Sequence, residues 1–136
     1  MLSIETIQSV MDTSPFIDLC GMKATKADEE RQTLEIEMLR KPELERAKDA
    51  GQFHGGAIGA LIDTAGTLAL AMVLQNGVPT INIRTDFLRP AITESLRAVA
   101  MVRKVGRTVG VVDVDVFDAS GKLVAVGRGT FGAQGG

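Results

Sequence analysis

The chain has 136 residues, long enough for one domain with a real core, and its 45% hydrophobic and 24% charged residues exclude disorder. A formal net charge of −2 removes any global electrostatic case for nucleic-acid binding. One cysteine, Cys20, excludes an intrachain disulfide and suits the cytoplasm, where it reads as a small buried side chain.

In chain order, Leu2, Ile4, Ile7, Val10 and Met11 recur at amphipathic spacing, which predicts a short helix within 1–14 that ends before Ser14-Pro15. No basic region leads into an apolar block there, so no signal peptide is expected. Residues 16–27 read as a weakly patterned first strand interrupted by Gly21. In 32–40 the alternation is clean, with Leu34, Ile36 and Met38 on one face and Thr33, Glu35 and Glu37 on the other. Residues 41–51 form a polar connector from which no core side chain is expected.

Residues 54–74 are the centre of the pattern. They hold the only histidine, two adjacent glycines and a single carboxylate in an apolar run. A helix this apolar must be covered nearly all round, which leaves His54 and Asp63 as polar exceptions in need of a reason. Gly59, Ala60, Gly66, Thr67 and Leu70 neighbour Asp63 on the helix, and such small or apolar company predicts an enclosed carboxylate. The run is long enough to span a membrane, but Asp63 inside it and the half-buried strand patterns around it point to a soluble core helix. Between His54 and Asp63 a continuous helix turns through about 900° and rises about 13.5 Å. Gly55-Gly56 and Asp63 therefore do not line one small pocket of the same helix. If both act on one substrate, one of them comes from another subunit.

Asn76-Gly77 is the expected helix stop. Residues 78–89 read as a strand with Ile81, Ile83 and Phe87 on one face, broken by Pro90. Strands follow at 94–104, 109–117 and 122–131, with Gly106-Arg107 and residues 118–121 as turns, and 132–136 is expected to fray. Short connections imply antiparallel neighbours. The expected fold is α+β, a curved antiparallel sheet of five to six strands around one long central helix, all in a single domain spanning 1–136.

The segment Gly51-x-x-His54-Gly55-Gly56, then residues 61–65 (LIDTA), then Arg84-x-Asp86-Phe87-Leu88-Arg89-Pro90-Ala91, resembles the hotdog-fold acyl-CoA thioesterases, the phenylacetate-degradation branch in particular. The likeness covers roughly residues 16–132. It implies hydrolysis of an acyl-CoA or acyl-carrier thioester by a homo-oligomer, a dimer or a tetramer built from dimers, with the sites at the dimer interface. By the same resemblance, the Gly55 backbone N–H would polarise the thioester carbonyl at the helix N-terminus, and the partner subunit's Asp63 would act as general base or nucleophile. Thr80 lies where related enzymes place a Ser or Thr that positions the attacking water. His54 is expected to hold the loop or touch substrate, and Gly56, Thr64 and Thr67 to line the substrate. No metal is implied, and no cofactor beyond the CoA of the substrate.

Among the basic residues, Arg89 and Arg107 stand beside turns and are the first candidates for CoA phosphates. One departure concerns water: related enzymes often carry Asn or Gln a few residues before the histidine, whereas Lys48 stands six before it and Gln52 two before. Lys48 keeps a non-catalytic acyl-CoA binding module as the alternative. A hotdog dehydratase, with His54 as base, is a third reading.

Overall fold

The computed structural model describes residues 2–134. Helix α1 spans Ile4–Asp12 and starts where the Ser3 side chain accepts a hydrogen bond from the Thr6 N–H; its Ile7 and Met11, one turn apart, are buried. The segment read as the first strand begins instead with a second helix, α2 (Pro15–Cys20). Ser14 caps it by accepting from the Ile17 N–H, Pro15 takes the first turn, and Gly21 closes it in the left-handed conformation at φ 71°. Six residues are too few for periodicity to show, so only the cap residues carry the signal.

Strands β1 (Met22–Asp28) and β2 (Thr33–Leu39) pair antiparallel, and Leu34, Ile36 and Met38 point into the core as the alternation required. The connector after β2 does supply a core residue, because a 3-10 turn at Pro42–Leu44 buries Leu44. Helix α3 (Gly55–Leu74) follows, then β3 (Thr80–Phe87), β4 (Ser95–Val105), β5 (Val109–Asp118) and β6 (Leu123–Gly132). Gln75, not Gly77, ends α3, adopting the left-handed conformation at φ 57°.

All pairings are antiparallel and the strand order is β1-β2-β4-β5-β6-β3. The chain therefore does not continue from β3 to an adjacent β4. It crosses the sheet, so β3 lies against β6 at one edge while β4 lies beside β2. This corrects the expectation that every short connection joins neighbours. Of the face that carries Ile81, Ile83 and Phe87, Ile81 and Phe87 are 59% and 56% exposed, as suits an edge strand. The tail expected to fray is partly fixed, since the Gly132 N–H donates to Pro79 O and the Ala133 N–H to Thr108 O. Residues 135 and 136 lie outside the described residues.

The concave face of the sheet holds α3. Leu61, Ile62, Ala65, Ala69, Leu70 and Met72 are fully buried against inward-facing side chains such as Ala98, Ala100, Val112 and Val114. Gly127 allows the close approach, since a Cβ there would lie 2.6 Å from Ile62 Cγ2 and 3.1 Å from Arg84 O. On the outer face Arg128 makes a two-pronged hydrogen bond to Asp113, 2.6 and 2.9 Å long. That bond, reinforced by the charges of Arg128 and Arg103, holds the Asp113 carboxyl below its usual range against the opposing effect of burial.

Candidate active site

The start of α3 is held by His54. Its backbone is extended (φ −65°, ψ 140°) and its Nδ1 accepts from the Gly56 N–H at 2.7 Å. An imidazole nitrogen that accepts has no proton, so the ring hydrogen sits on Nε2. The Ala57 and Ile58 N–H groups both donate to His54 O. That leaves the Gly55 N–H, the first of the helix, with no acceptor among the described residues. It sits at the positive end of the helix dipole. Gly55 opens into a cleft of about 430 Å³ walled by Gln52, Ile58, Phe87, Arg89 and Pro90.

Farther along the helix, Asp63 is half-buried rather than fully enclosed. Its Oδ1 accepts from the Thr80 hydroxyl at 2.7 Å and from Thr67 at 3.4 Å. Oδ2 makes no hydrogen bond among the described residues, nor does any cation pair with this carboxylate there. Thr80 reaches it as the first residue of β3, whose start is anchored by the bond between Gly132 and Pro79 O. Asp63, Thr64, Thr67 and Thr80 line a hollow of about 300 Å³, flanked on its other side by Phe16 and Ile17 of α2 and its cap Ser14. A carboxylate with hydroxyl donors on one oxygen and none on the other is oriented yet able to accept a proton.

These two openings share no lining residue. His54 and Gly56 face a third hollow, about 340 Å³, beside Phe16, Leu19, Cys20 and Glu43. Burial pushes the Cys20 thiol up, with the Lys41 charge opposing, so the thiol stays protonated. Arg89 lines the Gly55 cleft. Arg107 sits in the β4–β5 turn, at the end of the sheet where Gly132 meets Pro79, and thus away from the Phe87 end. The structure so gathers Asp63, Thr64, Thr67 and Thr80 in one place and Gly55 with Arg89 in another. Among the described residues no three His, Cys, Asp or Glu side chains gather as a metal site.

Sequence reasoning noted Gln52 two residues before His54 without giving it a place, and missed Phe87 and the side chains around α2. Gln52 lines the Gly55 cleft, whereas Lys48 is exposed in a turn and lines none of the three openings. The Phe87 ring stands 3.4 Å from where a Gly55 Cβ would be. The α2 side chains that flank the Asp63 hollow escaped because α2 itself was unread; the Ser14-Pro15 cap signature was the available signal.

Comparison with known proteins agrees with this architecture. The family model described as the thioesterase superfamily matches residues 50–125. Acyl-coenzyme A thioesterase 13 of Mus musculus is 30% identical over 132 residues, covering 94% of this chain and 92% of its own. Acyl-coenzyme A thioesterase PaaI of Escherichia coli is 38% identical over 78 residues, 56% of this chain and 54% of that one. A solved thioesterase structure from Haemophilus influenzae superposes with a TM-score of 0.86 at 25% identity, covering 97% of this chain and 90% of that one. With the matched segment running from the approach to α3 through most of the sheet, the chain belongs to the thioesterase superfamily and is a hotdog-fold thioester hydrolase.

Proposed function

We propose that the protein hydrolyses an acyl-CoA thioester in a site shared by two copies, with the Gly55 N–H from one and Asp63 from the other. The observation that carries this reading is the position of β3. Its first residue, Thr80, holds Asp63, and its last, Phe87, covers Gly55. The strand lies on an open edge of the sheet. Pairing with a second copy about a two-fold axis is antiparallel, so it carries the Gly55 end of one protomer to the Asp63 end of its partner. The same operation brings Arg89 of one copy to the sheet end that carries Arg107 of the other, where both suit the phosphates of CoA.

In that site water attacks the carbonyl carbon while its proton passes to Asp63 Oδ2. The oxyanion formed is held by the Gly55 N–H. Collapse breaks the C–S bond, and the sulfur leaves as thiolate and takes up the proton, giving free acid and thiol. Direct attack by Oδ2, with water opening the resulting anhydride, yields the same products. This chemistry uses water alone and calls on no cofactor or metal. The tie between His54 Nδ1 and Gly56 speaks against His54 as the base of a dehydratase. Lys48, which kept a binding module open, lines none of the openings, whereas Gln52 stands in the Gly55 cleft, and this favours turnover.

Thiol release from a panel of acyl-CoAs tests the reading. Asp63→Ala should lower kcat by about 10²–10⁴-fold with the fold intact. Mixing it with a Gly55→Pro protein should then restore about a quarter of wild-type activity, since half the dimers are mixed and each holds one complete site. Ligand-induced stabilisation without thiol release would establish the binding module instead. Mixed dimers without activity would overturn the shared site.

A further inference from the structure

A trough of about 430 Å³ runs between α1 and the C-terminal half of α3, and the mechanism above leaves it unused. Ile7 and Val10 wall one side, Leu68 and Ala71 the other, and Val78 closes the end of the loop before β3. No charged residue lines it. Val10 is 51% exposed at its rim, an apolar side chain with nothing over it. The trough borders the catalytic hollow, because Thr67 and Leu68 line both and Thr67 donates to Asp63. From Thr67 to Gln75 the helix rises about 12 Å, the length of an extended saturated chain of roughly nine carbons.

We propose that this trough is the acyl subsite, and that the substrate class is a straight, uncharged, medium-chain acyl thioester of about eight to ten carbons. The inference rests on the reading of Asp63 as the group that acts at the carbonyl. With the carbonyl carbon beside Oδ2, the chain passes Thr67 and runs along α3. The other hollow reachable from Asp63, through Phe16, carries Glu43 and His54 in its lining and suits an apolar chain less well.

The test is kcat/KM for saturated acyl-CoAs from butyryl to tetradecanoyl. In the wild type it should rise about fourfold per added methylene up to decanoyl, as expected for burial of each CH₂, and then level off. The measure for variants is the ratio of decanoyl to butyryl, which partial misfolding leaves untouched. Ala71→Phe, filling the trough, and Val10→Glu, placing a charge at its rim, should each lower that ratio by at least about tenfold. Ala60→Phe, in the hollow beside Phe16, should leave it in place. A flat wild-type series, or a ratio that responds to Ala60→Phe and not to the other two, would overturn the subsite. Turnover with an unresponsive ratio brings down the subsite alone. Absence of turnover with every acyl-CoA brings down the functional reading and the subsite with it.

Discussion

Gly55 differs from every other residue of the first turn of α3 in leaving its N–H unspent, and its backbone offers a way to remove that one donor. It is the first helical residue, where proline is favoured because no intrahelical hydrogen bond is lost. His54 already has the extended geometry, ψ 140°, that proline imposes on its predecessor. Gly55→Pro should therefore keep the helix while kcat falls by about 10²–10³-fold, the usual loss for one oxyanion donor. Gly55→Ala retains the N–H, places its Cβ in ordinary contact with Phe87 and should stay within about tenfold of wild type. Steady-state kinetics with circular dichroism separate the two; wild-type kcat in the proline variant would mean that the donor lies elsewhere. At this scale the sequence was uneven. His54, Gly55 and Asp63 stood out as polar or flexible residues in an apolar run. Nothing in the strand pattern distinguished Thr80, which meets Asp63 across a sequence separation of 17 residues.

Between elements, α3 comes close to β6 at Gly127. An added Cβ meets both Ile62, which is fully buried, and the Arg84 carbonyl on β3, so neither neighbour is a free side-chain tip. Gly127→Ala should cost about 1–3 kcal/mol by overpacking, read as a lower denaturation midpoint at unchanged slope. An unaltered midpoint would mean that helix and sheet are not held this tightly. Long, strongly patterned elements were legible from the sequence: β2, α3 and β5 lie within a residue or two of their expected bounds. Helix α2 was not, because a six-residue helix shows less than two turns of periodicity. The crossing of β3 to the far edge was not legible either. Strand patterns report which face is buried, and both β4 and β6 offer β3 the same kind of face.

For the whole molecule, the two edges of the sheet are built differently. Edge β1 presents Lys23 and Lys26, carries a register shift between Ala24 and Lys26, and has α1 packed against it. Edge β3 presents Ile81 and Phe87 to solvent. Ile81→Lys should leave protomer stability within about 0.5 kcal/mol, since the side chain is mostly exposed. It should nonetheless weaken self-association, so that sedimentation shows a lighter species and specific activity rises with protein concentration. An Ile81→Lys protein that keeps wild-type mass and activity at nanomolar concentration would place the interface elsewhere.

That contrast between edges sets a limit on growth. A strand edge is a template for further strands, and a chain with two such edges would stack without end. Here one edge is armoured and one is bare, so pairing through β3, as proposed above, would give each protomer a valence of one. Once two bare edges meet, the paired sheet has an armoured strand at both extremities and no place to add a third. In that assembly the lysines of β1, on the edge opposite β3, would act as caps that keep a sheet protein with an exposed apolar edge from becoming a fibre.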